Sequence, residues 1–275
     1  MTLRLGRDTR LCLSISARPS NFGTRFHNHL YEELGLDFVY KAFAVTDLAG
    51  AIGGIRAFSV RGAAVSMPFK EAVIPFVDQM APSAAAIGAV NTLVVDDGRM
   101  TAHNTDYVAA ARLVAAHGVD PATPVVLRGS GGMAKAVAAA LCDAGMTNGT
   151  VVARNPETGR ALASRCGWAW RPDFAAPDGA MLVNVTPIGM AGGPEADDLA
   201  FPETAIAAAA LVFDAVALPL ETPTIRAARA HGRPIVSGGE VGVLQAVEQF
   251  VLYTGVRPSD EAIARAAAFA RAGVR

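Results

Sequence analysis

The sequence is short of the residues that would point to metal, disulfide or membrane chemistry. It holds three cysteines, Cys12, Cys142 and Cys166, widely spaced and with no CxxC pair. That excludes a disulfide framework or a thiolate cluster and fits buried thiols in a reducing compartment. His27 and His29 are two apart, which does not place both rings on one helix face, and His103, His117 and His231 stand alone. No Ser-His-Asp order and no nucleophile elbow marks a hydrolase. No apolar run reaches the roughly 18 residues of a spanning helix. The alanine-rich stretches Ala205–Ala210 and Ala262–Ala272, the second carrying Arg265 and Arg271, read as helix of a soluble protein. Met1–Asp8 has too short an apolar stretch for a signal peptide. An excess of either charge is missing too: 24 basic against 25 acidic residues leave a net charge of −1. Such a balance gives no field favouring nucleic acid or an anionic membrane. The expectation is a cytoplasmic protein with a small-molecule partner, no nucleic acid and no membrane.

The chain does have apolar material in quantity. At 275 residues with 52% hydrophobic and 18% charged side chains, it can fill one large core or two modest ones. Leu11–Ser16, Phe38–Val45, Val60–Val65 and Thr92–Val95 read as strands, the last turned by Asp96-Asp97-Gly98. Phe26, Leu30 and Leu34 recur at helical spacing, closed by Gly35. Thr46-Asp47 caps a helix expected to end at Gly53-Gly54, and Lys70–Met80 is expected to be helical in part, bent by Pro75. After the helix Tyr107–His117 and the loop Pro121–Pro124, βα units repeat. Strands at Val125–Leu127, Thr150–Ala153, Met181–Val185, Leu211–Ala215 and Pro234–Val236 alternate with helices such as Met133–Ala144 and Pro156–Arg165. The predicted class is α/β, with an N-terminal α/β domain over 1–102 joined by 238–275, and a doubly wound dinucleotide-binding domain over 103–237.

Gly129-Ser130-Gly131-Gly132-Met133-Ala134 follows an apolar strand and opens a helix, satisfying G-x-G-x-x-G/A. Glycines there let the backbone approach a pyrophosphate at the helix N-terminus. The next strand ends in Val151-Val152-Ala153-Arg154. An NAD site places an acid at this point for the ribose 2′-hydroxyl, whereas an arginine pairs with a 2′-phosphate. NADP is the expected cofactor, and a solvated arginine at a strand end is the alternative.

A second cluster surrounds Ala63–Lys70, an apolar strand ending in Ser66-Met67-Pro68-Phe69-Lys70. Asn91 and then Asn104-Thr105-Asp106 follow at short intervals. Oxidising an alcohol needs a group that accepts the hydroxyl proton, and a lysine beside a carboxylate serves if burial tunes it. Lys70 and Asp106 are the expected pair; a surface ion pair is the bland reading. Asn91 can read ring hydroxyls or merely close a turn, and Gln245 can reach a ligand or satisfy buried backbone.

Taken in order, Val65–Lys70, Ala89–Thr92, Asn104–Asp106, Gly129–Ala134, Asn184–Met190 and Gln245…Phe250…Tyr253-Thr254-Gly255 resemble the motifs of the shikimate dehydrogenase family over nearly the whole chain. The resemblance implies an NADP-dependent oxidoreductase of the chorismate pathway, which interconverts a ring alcohol and ketone of a cyclic hydroxy acid and is a monomer or homodimer. It makes Lys70 and Asp106 the catalytic pair and assigns the substrate to Asn21, Ser66, Asn91 and Gln245. It adds Thr186, Met190 and Gly238 to the cofactor residues.

Where the family carries His-Ser-x-Ser-Pro, with two serines for the substrate carboxylate, this chain has Ser20-Asn21-Phe22-Gly23-Thr24; Ala217 replaces a tyrosine and Ala153 an asparagine. These departures resemble the shikimate dehydrogenase-like subgroup. Each lost hydrogen bond to a charged group costs about 1.5–3 kcal/mol, a loss that a bond from Asn21, or from Thr24 or Ser16, would have to offset. Two rival readings follow: a binding or regulatory protein with weak catalysis, and a related dehydrogenase of a folate-type substrate.

Overall fold

A computed structural model describes residues 5–273. The stretch Met1–Asp8 therefore lies partly outside the described residues, as do the extreme ends of the expected first domain. The elements begin with β1 (Arg10–Ser16), α1 (Phe22–Glu33), β2 (Phe38–Ala44), α2 (Leu48–Ala57), β3 (Gly62–Val65), α3 (Phe69–Ala72), β4 (Gln79–Met80), α4 (Pro82–Ala85), β5 (Thr92–Asp96), β6 (Arg99–His103) and α5 (Thr105–His117). They continue with β7 (Val125–Arg128), α6 (Gly132–Asp143), β8 (Gly149–Val152), α7 (Pro156–Arg165), β9 (Ala169–Arg171), β10 (Met181–Asn184), α8 (Glu203–Ala208), β11 (Leu211–Asp214), α9 (Pro223–Ala230), β12 (Ile235–Ser237), α10 (Gly238–Thr254) and α11 (Asp260–Ala272). The chain divides into two compact units. One runs to Thr105 and resumes at Val243; the other spans Asp106 to Gly242.

The first unit holds a mixed sheet in the order β2-β1-β3-β5-β6-β4. β1 lies parallel to β2 and β3, while β5 runs antiparallel to β3 and β6. Two apolar clusters build its core. One gathers Phe26 and Leu30 of α1 with Val247, Phe250 and Tyr253 of α10 and Ala266 and Ala270 of α11. The other joins Ile52 and Ile55 of α2 to Ile15, Val65, Leu93 and Met100 of the sheet. Asn28 ties α1 to the sheet: its Nδ2 donates to the Tyr40 carbonyl at 2.8 Å, and its Oδ1 accepts from the Tyr40 amide at 2.8 Å.

Two local expectations change. Asp47 does cap α2, accepting from the Gly50 amide at 3.0 Å, but the helix runs through Gly53-Gly54 to Ala57. Ile52 and Ile55 bury one face across the glycines, and that burial outweighs their propensity cost. In the Lys70–Met80 stretch, helix lasts only to Ala72. A 3-10 turn at Ile74–Phe76 holds Pro75, and Gln79–Met80 becomes a strand parallel to β6.

The second unit has the order β12-β11-β10-β7-β8-β9, all pairs parallel. Counted from β7, this is the doubly wound order of dinucleotide-binding sheets, whose switch point lies between β7 and β10. Buried Val126, Leu182, Val212, Phe201, Ile206 and Ala228 pack its strands against α8 and α9. No helix among the described residues is long and apolar enough to cross a membrane. Nor do the described residues contain a group of three or more His, Cys, Asp or Glu side chains able to hold a metal ion.

Candidate active site

The second unit carries a cavity of about 540 Å³ at the carboxyl ends of its strands, a size within the range of small-ligand pockets. Gly129, Ser130 and Gly131 form one wall, Val152–Asn155 another, Pro172–Phe174 a third and Val185–Ile188 a fourth. Gly129 has φ +125°, and a Cβ there would lie 3.0 Å from Val185 Cγ2. A Cβ on Gly131 would meet no atom within 4 Å, so the loop leaves its backbone open where α6 begins. The Ser130 and Thr158 hydroxyls are 2.8 Å apart. Arg154, exposed, lies two residues past the end of β8, and Asn155 Oδ1 caps α7 by accepting from Glu157 and Thr158 amides at 2.9 and 3.2 Å. Helix-start amides, two hydroxyls and a guanidinium form a donor set that fits NADP: amides for a pyrophosphate, cation and hydroxyls for a further phosphate.

Thr186 is held from below by a buried network. Asn184 Oδ1 accepts from the Thr186 hydroxyl at 2.6 Å and amide at 3.1 Å. Asn184 Nδ2 donates to Asp214 Oδ1 at 2.9 Å and the Ile188 carbonyl at 3.2 Å, and the Thr222 hydroxyl donates to Asp214 Oδ2 at 2.6 Å. Burial raises the Asp214 carboxyl above its usual range, opposed by hydrogen bonds from Thr222, Val216 and Asn184. Of the expected cofactor residues, Gly132, Met133, Met190 and Gly238 do not line the cavity. Gly238 answers to packing, since a Cβ on it would lie 2.2 Å from the Val216 carbonyl oxygen. Phe174 and Asp173 line the cavity without a sequence motif to announce them.

In the first unit, Ser66 leaves β3 with its amide donating to the Ile15 carbonyl at 3.0 Å. Lys70 is the second residue of α3, half-buried, and its carbonyl accepts from the Val90 amide at 2.7 Å. That bond fastens the lysine's helix to the segment carrying Asn91, which is wholly buried. Asn91 Oδ1 accepts three hydrogen bonds: from the Thr92 hydroxyl at 2.8 Å, the Thr105 amide at 2.8 Å and the Thr105 hydroxyl at 3.2 Å. Its Nδ2 has no partner. The Ser16 hydroxyl, at the end of β1, is also buried and unpartnered. Asp106, 1% exposed, follows Thr105 and is the first residue of the second unit.

At the altered loop, Asn21 stands at the N-cap of α1, exposed, with no side-chain capping bond. A Cβ on Gly23 would meet the Tyr40 ring at 3.4 Å. The Thr24 hydroxyl accepts from the Ala42 amide at 3.2 Å and keeps its own proton to donate. Gln245 is half-buried on α10. One turn further on lies Gln249, 4% exposed, which the motif reading passed over. Its Nε2 donates to the Asn91 carbonyl at 3.3 Å and the Thr92 hydroxyl at 3.1 Å. The polar residue on the buried side of this apolar helix was the available signal.

Comparisons with known proteins agree with this layout. Residues 21–93 match the model of the shikimate dehydrogenase substrate binding domain. A shikimate dehydrogenase-like protein of Haemophilus influenzae is 54% identical over 267 residues, covering 97% of this chain and 98% of its own. The NADP(+) shikimate dehydrogenase of Oleidesulfovibrio alaskensis is 40% identical, covering 83% of this chain and 84% of its own. The solved structure of a shikimate 5-dehydrogenase-like protein superposes with a TM-score of 0.92 at 53% identity, over 98% of this chain and 100% of that one. Sequence motifs, doubly wound sheet and relatives converge, and the chain belongs to the shikimate dehydrogenase family.

Proposed function

We propose that the protein is an NADP-dependent oxidoreductase that interconverts the ring alcohol and ketone of shikimate or a closely related cyclic hydroxy acid. The observation that carries this reading is the unspent Nδ2 of buried Asn91, on a segment fastened through Val90 to the backbone of Lys70. A buried donor without a partner costs about 1–3 kcal/mol, and a hydroxyl or carboxylate oxygen of a ligand removes that cost. In this assignment Asn91, Ser66 and Gln245 orient the substrate. Ser16 and Asn21 offer the polar groups that stand in for the family's two serines. Lys70 Nζ takes the hydroxyl proton in oxidation and returns it in reduction, with Asp106 as its carboxylate partner. NADP, when bound at the glycine loop, would supply the two-electron redox chemistry, and Arg154, Ser130 and Thr186, which line that cavity, would hold it.

The test is steady-state turnover with NADP of shikimate, quinate and related acids, by wild type and Lys70→Ala. Activity that Lys70→Ala lowers by about 10²–10⁴-fold supports the reading. Wild type that turns over none of these acids overturns it.

The altered loop favours a second reading: the same site serves a binding or regulatory role for another ligand. Restoring both serines separates the two. A Cβ on Gly23 makes an ordinary contact with the Tyr40 ring at 3.4 Å, so Asn21→Ser/Gly23→Ser is expected to fold. A gain of shikimate turnover in the double variant, from a wild type that barely turns it over, means the loop had been retuned for something else.

A further inference from the structure

Asn91 and Gln249 are both amides, and an amide can in principle point either way. Here two backbone groups fix them. The Thr105 amide can only donate, so the Asn91 atom 2.8 Å from it is oxygen. The Asn91 carbonyl can only accept, so the Gln249 atom 3.3 Å from it is nitrogen. Between these fixed ends stands one hydroxyl. Thr92 Oγ1 accepts from Gln249 Nε2 at 3.1 Å, and that leaves its proton for Asn91 Oδ1 at 2.8 Å. The chain of bonds runs one way, from Gln249 through Thr92 to Asn91, and such chains strengthen along their direction.

We propose that Gln249 is a positioning residue for the reaction: through Thr92 it reinforces the two Thr105 bonds that orient the Asn91 amide, and so keeps Nδ2 in place as the donor left for the ligand. The inference rests on the proposed function and adds a restriction to it. The ligand atom that meets Asn91 must be an acceptor, such as the lone pair of a ring hydroxyl or a carboxylate oxygen. A group with only N–H to offer finds no counterpart there. Gln249 itself stays out of the site, with His27, fully buried and uncharged, beside it.

The arrangement can be broken without breaking the fold. In Gln249→Leu the Asn91 carbonyl keeps its bond from the Val65 amide at 2.8 Å, and Thr92 keeps Asn91 Oδ1. Gln249→Leu is expected to raise the KM for shikimate about tenfold with kcat within twofold, the split that marks lost binding rather than lost active protein. Thr92→Val, which removes the relaying hydroxyl, is expected to do the same, and Thr92→Ser to do nothing. The double variant Thr92→Val/Gln249→Leu is expected to be no worse than either single one, because both cut one chain. A double variant whose KM rises by the product of the single effects, or an unchanged KM in Gln249→Leu, overturns the proposal. A readout independent of turnover is the side-chain amide resonance of Asn91 in ¹⁵N-asparagine-labelled protein, assigned with Asn91→Asp. It should move in Gln249→Leu and Thr92→Val and stay in place in Thr92→Ser. A resonance unmoved by Gln249→Leu overturns the proposal even where wild type turns over no cyclic acid, an outcome that would sink the proposed function separately.

Discussion

Each unit contains a wholly buried asparagine at the end or entry of a strand, Asn184 closing β10 and Asn91 leading into β5, and the two are used in opposite ways. Asn184 spends everything it has: Oδ1 on Thr186, Nδ2 on Asp214 and the Ile188 carbonyl. Asn91 spends its oxygen three times and its nitrogen not at all. The first is a fastener that shapes a loop of the cofactor cavity. The second has the same burial but keeps a donor in reserve, the donor that the proposed function gives to the ligand.

Breaking the fastener should produce the largest effect. Asn184→Leu removes a donor to the Asp214 carboxylate and the acceptor of Thr186, and a loss of about 3–4 kcal/mol is expected from urea unfolding. Asn91→Asp keeps an acceptor for Thr92 and Thr105 but replaces the reserved donor with an oxygen. It is expected to lower kcat/KM for shikimate by about 100-fold, measured by steady-state kinetics, with a smaller loss of stability than Asn184→Leu.

The next effect concerns the histidine behind the Asn91 network. Burial lowers the pKa of His27 from 6.5 to about 3. Between those values the unfolded chain binds a proton that the folded chain does not. Stability from this group is complete above pH 6.5 and falls as the pH drops, by about 1.4 kcal/mol per unit. Wild type is therefore expected to lose about 2 kcal/mol more than His27→Phe between pH 7 and pH 5 in paired urea titrations. The smallest effect is at the cofactor cavity: Arg154→Ala, at an exposed position, should raise the KM for NADP about tenfold and leave the unfolding midpoint unchanged.

The second unit was the more legible in sequence. Its strands are short apolar runs, most of them separated by a helix, and α7 begins at Pro156 and ends at Arg165 as the cap and spacing dictate. The exception was β9, whose three residues, Ala169–Arg171, are too few to show alternation. In the first unit local signals were overruled by packing, as where Ile52 and Ile55 carry α2 past two glycines. Lys70, Asn91 and the glycine loop were legible because their residue types are unusual in their surroundings. Gln249 was not, since its importance lies in bonds to Asn91 and Thr92, more than 150 positions away. Thr24 and Ser16 looked equivalent in sequence, and only the backbone partner of Thr24 tells them apart.

The first unit closes its core with α10 and α11, packed on α1 from the opposite end of the chain. During synthesis this has an order built into it. The unit from Asp106 to Gly242 is contiguous, so its parallel sheet can assemble as soon as β12 leaves the ribosome. The sheet of the other unit, translated earlier, lacks the α10 and α11 partners of Phe26 and Leu30 until those helices emerge. Of the two units, the one whose sheet is translated earlier is thus the one that completes its core later.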